Sequence, residues 1–324
     1  MSQVTYLEAI REGLSEEMER DPSVFLLGED IGAYGGAFKV TAGFQERFGQ
    51  QRVLDTPLAE SAILGVAAGA ALRGYRPVAE MQFSDFITSG FNQLVNFAAK
   101  THYRYGEPVP MVVRCPTGGY IHGGPFHSQS TEAWFFHTPG LKLVAPSTPA
   151  DAKGLMKAAI RDNNPVLYFE HKFLYRRAKG EVGGAEDVIE IGKSHTVRRG
   201  DAATIVTYGA TVSLSVEAAE VVARDGSEVE VIDLRSLQPF DREAILESVQ
   251  RTGRLLIVHE DTLTGGIGGE IAAVVSDQAF EYLDAPIRRV ASLDTPVPFA
   301  PPMEEYFFPS APKIEAALRE LLAY

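Results

Sequence analysis

The chain is poor in several things that usually announce a function. It has one cysteine and one tryptophan among 324 residues, and 30 Lys plus Arg stand against 43 Asp plus Glu. The lone Cys115 excludes an intramolecular disulfide framework and a multi-cysteine zinc site. A net charge of −13 removes the basic footprint that nucleic acid or an anionic membrane surface requires. No apolar run reaches the roughly 18 residues of a membrane-spanning helix. The opening MSQVTYLEAIREGLSEEMERD has neither the basic n-region nor the apolar h-region of a secretory leader, so the expected location is cytoplasmic. Familiar catalytic signatures are missing as well: H-E-x-x-H of zinc proteases, G-x-S-x-G of α/β-hydrolases, and the P-loop G-x-x-x-x-G-K-[ST].

What remains is an ordinary globular composition, 45% hydrophobic and 23% charged, long enough for two cores. Short apolar runs alternate with helical patterns. Thr5-x-x-Glu8 is a capping box ahead of Leu7, Ile10, Leu14 and Met18 at helical spacing. Strands are expected at 24–27, 53–54, 77–83, 110–114, 141–145 and 165–169, and helices at 58–73, 86–102 and 149–161. Pro57 is expected at the start of the second helix, and Gly74 closes it. Between Arg176 and Lys193 the pattern dissolves into glycine and charge, which suggests a linker. A second series follows, with strands at 204–208, 229–234, 255–258 and 286–291 and helices at 212–224, 242–249 and 269–280. This rhythm predicts an α/β protein with two parallel-sheet domains, 1–175 and 201–324, joined by a linker over 176–200.

Four segments carry possible chemistry. Gly265-Gly-Ile-Gly-Gly269 resembles a dinucleotide fingerprint, but its third glycine position is Ile271, and a tight turn feeding a helix is the favoured reading. Asp55-Thr-Pro-Leu-Ala-Glu60 puts one carboxylate on the first turns of a helix otherwise made of small apolar residues. A helix apolar all round is a buried one, so Glu60 is expected to be partly buried; an exposed acid helping the helix dipole is the even alternative. Ile121-His-Gly-Gly-Pro-Phe-His127 places two histidines in a glycine-rich loop after a strand, where open sheets bind ligands. A structural histidine is the competing reading for His127 taken alone. Met81-Gln82-Phe83-Ser84-Asp85-Phe86 ends a strand with amide and aromatic groups suited to a flat heteroaromatic ligand.

Together with Leu27-Gly-Glu-Asp30, Asp151-Ala-Lys-Gly154, Val231-Ile-Asp-Leu-Arg235, Thr252 through Glu260 and Asp294-Thr-Pro296, these segments stand in a familiar order. The chain resembles, nearly end to end, the beta subunits of thiamine-diphosphate-dependent 2-oxo acid dehydrogenases. The resemblance implies a pyrimidine-binding domain followed by a transketolase C-terminal-like domain. It puts Glu60 on the glutamate that hydrogen-bonds the aminopyrimidine ring, and His127 on the histidine implicated in handling the 2-oxo acid and in acyl transfer. Leu58, Gln82 and Phe86 fall on or beside the aminopyrimidine pocket. A potassium ion held mostly by backbone carbonyls would map to Met111, Ala159, Ile160, Asp162 and Asn164, since oxygen ligands suit a hard cation.

The superfamily's magnesium signature, Gly-Asp-Gly, is missing from the chain. The resemblance therefore implies half an active site, with diphosphate and Mg²⁺ held by an alpha subunit in an α2β2 heterotetramer. The acyl group would pass to the lipoyl domain of a dihydrolipoyl acyltransferase, whose typically basic subunit-binding domain suits the acidic charge of this chain. Branched-chain 2-oxo acids are the favoured substrates and pyruvate the next. An acetoin-cleaving dehydrogenase beta subunit and a non-catalytic scaffold subunit are the alternatives.

Overall fold

The structure, a computed structural model, describes residues 3–324 and divides into two compact units. Unit 1 comprises the residues up to Thr117 together with Trp134–Ile191, and unit 2 comprises Gly118–Ala133 together with Gly192–Tyr324.

The elements up to residue 191 run β1 (Val4–Thr5), α1 (Tyr6–Arg20), β2 (Val24–Gly28), α2 (Phe44–Phe48), β3 (Val53–Asp55), α3 (Glu60–Ala71), β4 (Arg76–Glu80), α4 (Ala99–Tyr105), β5 (Val112–Thr117), α5 (Ala133–Phe136), β6 (Lys142–Val144), α6 (Pro149–Arg161), β7 (Val166–His171) and β8 (Lys179–Gly180). In unit 1, strands lie side by side in the order β6-β7-β5-β4-β2-β3, all parallel. The central strands β5 and β7 are buried at every position, as strands covered on both faces must be. The capping box at α1 is formed: Glu8 N donates to Thr5 Oγ1 at 3.2 Å, and Thr5 N donates to Glu8 Oε2 at 2.7 Å. The face of α1 bearing Ile10, Leu14 and Met18 is buried, and α1 packs on α6, which opens with Thr148 as N-cap and Pro149 at its first position.

Unit 2 continues with β9 (His195–Arg198), β10 (Ala203–Thr207), α7 (Thr211–Ala223), β11 (Val229–Asp233), β12 (Ser236–Gln238), α8 (Arg242–Thr252), β13 (Leu255–Thr262), α9 (Gly268–Gln278), β14 (Arg288–Ser292), α10 (Pro301–Phe307) and α11 (Ala311–Leu322). Its sheet runs β14-β13-β10-β11-β9, parallel except for the edge strand β9. One face of this sheet is sealed by Ala218 and Val222 of α7 and by Ile314, Leu318 and Leu321 of α11 over Ile205, Val231 and Leu256. Both units therefore have the expected α/β architecture.

The structure departs from the sequence pattern at four places. The expected helix over 86–102 is broken into a 3-10 stretch at Ser84–Gly90, a π-helical stretch at Gln93–Ala98, and α4. Helix α3 begins at Glu60, three residues beyond Pro57, because Pro57 and Leu58 still belong to the irregular segment leaving β3. That helix is buried on one side only: Ala62, Val66 and Gly69 are exposed, Val66 by 56%. Helices α2, α5, α10 and α11 and strands β1, β8, β9 and β12 have no counterpart in the expected element order.

Candidate active site

In unit 1 the sheet register places Gly28 opposite Asp55 on one side and Glu80 on the other, with Glu80 opposite Arg114. Acidic groups thus gather at the carboxyl ends of β3, β2 and β4, where open α/β sheets receive ligands. Arg114 is fully buried between two carboxylates, pairing with Glu80 and donating to Glu170 Oε1 at 2.5 Å. Burial pushes the carboxyls of Glu80 and Glu170 up, and the guanidinium opposes the shift.

Glu29, the residue after β2, has no such partner. It is 3% exposed, and among the described residues neither carboxylate oxygen has a hydrogen-bond partner. Burial raises its pKa, and the carboxylates of Glu60, Asp30 and Glu80 push the same way. An unsatisfied buried acceptor costs about 1–3 kcal/mol, so such a group marks a place where a donor is missing. Glu60 stands beside it, half-buried at the first turn of α3. The 3-10 stretch carrying Phe86 lies against this turn, and Gly90 is what lets it approach. A Cβ there would stand 2.3 Å from Leu64 Cδ1 and 3.3 Å from the Glu60 carbonyl. Phe86 packs edge-on against Phe83 at 5.7 Å, and Gln82, two residues beyond β4, is half-buried. Leu58 is 80% exposed. A carboxylate pair, an amide and an edge-packed aromatic pair suit a flat ring that carries hydrogen-bond donors.

The residues of the expected potassium site sit around the C-terminus of α6 and the start of β7. Val166 N donates to the Met111 carbonyl at 3.0 Å. The carbonyls of Ile160 and Asp162 accept from Arg76 at 2.8 and 2.9 Å. The Asp162 carboxylate pairs with Lys142 at 2.5 Å and accepts from Asn164 N at 2.8 Å. Helix C-terminal carbonyls favour cations, and here Arg76 already takes the carbonyls while Lys142 takes the Asp162 carboxylate.

His127 belongs to unit 2, in the segment that follows β5 in the sequence. It is half-buried, and its N–H donates to the Gly124 carbonyl at 3.3 Å. The neighbouring backbone is unusual: Tyr120 and His122 both have φ of +59°, and Gly124 has +68°. The glycine run 265–269 has a packing reason instead of a nucleotide one. A Cβ on Gly266 would stand 2.5 Å from His259 Cε1, and one on Gly268 would stand 2.7 Å from His259 Nε2. Burial of that imidazole lowers its pKa to about 4.

Comparison with known proteins accounts for this arrangement. Residues 2–178 match the family model of the transketolase pyrimidine-binding domain, and residues 192–314 match that of the transketolase C-terminal domain. The chain is 53% identical to the 2-oxoisovalerate dehydrogenase subunit beta of Bacillus subtilis, with all of both chains covered. It belongs to the beta subunits of the 2-oxo acid dehydrogenases. This beta subunit is also 44% identical to the pyruvate dehydrogenase E1 component subunit beta of Staphylococcus epidermidis, covering 92% of this chain and 93% of the other. A solved split-gene transketolase, described as an inactive beta4 tetramer, shares its fold at a TM-score of 0.83 with 24% identity, covering 99% of each chain.

Thiamine diphosphate is the cofactor of the family, and the unpartnered Glu29 carboxyl beside Glu60 fits a ring bearing N–H groups. As a 2-oxo acid dehydrogenase beta subunit the chain is part of an oxidoreductase with more than one kind of subunit. Among the described residues no helix is long and apolar enough to cross a membrane. Sequence reasoning passed over Glu29 as a site residue. Its signal was present in Gly28-Glu29-Asp30, an acidic pair closing a buried strand, but burial without a partner is a property of the folded chain alone.

Proposed function

We propose that this beta subunit joins an alpha subunit in an α2β2 heterotetramer and supplies the pyrimidine half of a thiamine-diphosphate site. The reaction is the oxidative decarboxylation of a branched-chain 2-oxo acid, with the acyl group passed to the lipoyl group of a dihydrolipoyl acyltransferase. The observation that carries the site assignment is the buried Glu29 carboxyl beside the half-buried Glu60, with neither Glu29 oxygen hydrogen-bonded among the described residues. The branched-chain assignment rests on 53% identity to the 2-oxoisovalerate enzyme subunit, against 44% to a pyruvate one.

When bound, thiamine diphosphate supplies the carbon nucleophile and holds the electron pair released with CO2. In this reading Glu60 shares a proton with the aminopyrimidine ring, which sets the ring's protonation state. Phe86 and Leu58 offer apolar contact to the ring and keep water from it, and Gln82 offers amide hydrogen bonds. His127 exchanges a proton with the substrate oxygen and with the lipoyl sulfur as the acyl group moves. The diphosphate and Mg²⁺ fall to the alpha subunit, since no Gly-Asp-Gly occurs here. The exposed apolar stripe of Ala62, Val66 and Gly69 on α3 supports a subunit partner, since a helix this apolar is ordinarily covered. A potassium ion at Met111, Ala159, Ile160, Asp162 and Asn164 remains compatible with Arg76, because each carbonyl keeps a second lone pair.

The test is reconstitution with an alpha chain that carries Gly-Asp-Gly, Mg²⁺ and thiamine diphosphate. Decarboxylation is followed with an artificial acceptor for 2-oxoisovalerate, pyruvate and acetoin. The expected order is 2-oxoisovalerate over pyruvate by at least about 10- to 200-fold, the range that one methylene can produce. Dominant acetoin cleavage would overturn the reaction, and wild-type activity in Glu60→Ala would overturn the site. If the chain were only a scaffold, the alpha chain alone would bind the cofactor as tightly as the complex. Potassium is tested separately: K⁺ should raise the thermal midpoint of this subunit above its value in equal choline.

A further inference from the structure

The loop that carries His127 is held in a conformation its own sequence would not choose. Gly118 N donates to the Gln129 carbonyl at 3.1 Å, which closes the loop at its base. Inside it, Tyr120 and His122 both take positive φ, a region that residues with a Cβ rarely adopt and that persists only where the surroundings fix it.

Those surroundings are two glutamates. Glu260, on β13, is 5% exposed, and one of its oxygens, Oε1, accepts from Gly119 N at 2.7 Å and from Ser130 Oγ at 3.1 Å. A single carboxylate atom thus ties down both sides of the segment containing His127. Glu304, on α10, is 2% exposed; its Oε1 accepts from His122 N at 3.1 Å, and its Oε2 pairs with His122 Nδ1 at 2.6 Å. Both contacts fall on or beside the strained residues. Tyr120 is anchored as well, donating from its hydroxyl to the Pro309 carbonyl at 2.9 Å, with its ring 4.6 Å from that of Phe308. Gly119 must be glycine, since a Cβ there would lie 2.0 Å from Phe308 Cζ. Burying a carboxylate is costly unless it is paired and hydrogen-bonded, and for both glutamates the partners are groups of this loop.

We infer that Glu260 and Glu304 are positioning residues for His127, clamping its loop in one strained conformation so that the imidazole is held in place for proton transfer. The inference rests on the role given to His127 above, and it goes beyond that role by naming what enforces the position. Rigid support of this kind governs rate, because misplacing a reacting group by about 1 Å can cost on the order of 10²-fold.

The experiment uses the reconstituted complex and reads reductive acylation of a lipoyl domain. Glu260→Ala and Glu304→Ala are made in the wild-type and in the His127→Ala backgrounds. In the wild-type background each is expected to lower kcat by on the order of 10²-fold, with KM for the 2-oxo acid little changed. Glu260→Gln, which keeps an acceptor oxygen for Gly119 and Ser130, should recover most of that loss. In the His127→Ala background the same substitutions should add almost nothing. Losses that multiply in that background would show that the glutamates act elsewhere, and overturn the inference. Normal acylation by His127→Ala would overturn the role of His127 itself. A deficient His127→Ala beside an unaffected Glu260→Ala would overturn the clamp alone. Should Glu260→Ala fail to fold by circular dichroism, Ser130→Ala releases one side of the clamp. It should then speed amide exchange across 119–130, and unchanged exchange would count against the clamp.

Discussion

Replacing Asp261 with asparagine should change how the stability of unit 2 depends on pH, and the structure sets both the direction and the size. Asp261, at the end of β13, lies close to two further carboxylates, Glu132 and Glu260. Burial, then Glu132, then Glu260 raise its pKa from 3.8 to about 8, against the pull of hydrogen bonds from Thr262. The folded chain therefore holds a proton that the unfolded chain has lost, and stability falls as pH rises between those values. His259 runs the other way. Burial lowers its pKa from 6.5 to about 4, so the unfolded chain takes a proton that the folded chain refuses, and stability falls as pH drops through that window. Each slope is at most about 1.4 kcal/mol per pH unit.

The two slopes cancel between about pH 4 and 6.5, which leaves that of Asp261 alone from 6.5 to about 8. Over that interval the full slope amounts to about 2 kcal/mol, and the edge that Asp261 keeps in solvent reduces it to about 1–2 kcal/mol. Asp261→Asn has no proton to hold, so it should gain that amount on the wild type between pH 6.5 and 8.5. Amide exchange in β10 and β13 reads it directly, since the intrinsic rates cancel when variant and wild type are compared at one pH. Protection should rise about five- to thirty-fold in the variant relative to the wild type across the interval. The proton belongs to the pair, and Glu132 is fixed by the Tyr208 hydroxyl at 2.7 Å, so Glu132→Gln should flatten the same limb. A variant-to-wild-type ratio that stays constant from pH 6.5 to 8.5 would refute the reasoning.

Other consequences are simpler. Arg114→Met should destabilise unit 1 by about 3–5 kcal/mol, because it leaves Glu80 and Glu170 buried without their cation. The loss should be smaller at pH 5 than at pH 8, as those carboxyls take up protons; fluorescence of the single tryptophan, Trp134, within unit 1 reports the transition. Gly268→Ala should cost about 1–3 kcal/mol by chemical denaturation, since its Cβ would press on a His259 ring that is stacked on Tyr208. Gly69→Leu should leave the isolated subunit folded, because the position is exposed and a Cβ there meets nothing within 4 Å among the described residues, yet impair heterotetramer assembly in sedimentation.

Much of the fold was legible because its causes are local. Thr5 and Glu8 announce the start of α1 within four residues, and α6 runs from Pro149 to Arg161 just as Thr148-Pro149 and the apolar spacing predict. Where the cause is distant, the pattern misleads. Residues 86–102 have helical spacing, but the backbone runs through 3-10 and π geometry, and Gly90 lies so close to Leu64 on α3 that a Cβ would clash, a distant contact the local pattern does not record. Helix α11 buries Ile314, Leu318 and Leu321 at spacings of four and three, a signal as good as any in the chain that drew no expectation. The acids that support the catalytic reading divide along the same line. Glu60 stands out because it is alone in an apolar helix, whereas Glu29, Glu260 and Glu304 look like ordinary acids until their burial is known.

Helix α3 shows a second kind of limit. Its composition predicts burial, yet four of its twelve residues, Ser61, Ala62, Val66 and Gly69, are exposed. A hydrophobic pattern records that a surface is covered in the working protein, not which chain covers it. Gly69 sharpens the point. A glycine inside a helix costs about 1 kcal/mol relative to alanine, so its presence calls for a close approach by something. Outside the helix's own backbone, nothing among the described residues comes within 4 Å of the position a Cβ would take. The same reasoning applies to the Glu29 carboxyl, whose buried oxygens have no donor among the described residues. In both cases a local cost has no compensation among the described residues, and both features fall in the Glu29–Glu60 and α3 region. That is what half of a shared active site should look like when the other half is a different chain and the cofactor lies between them.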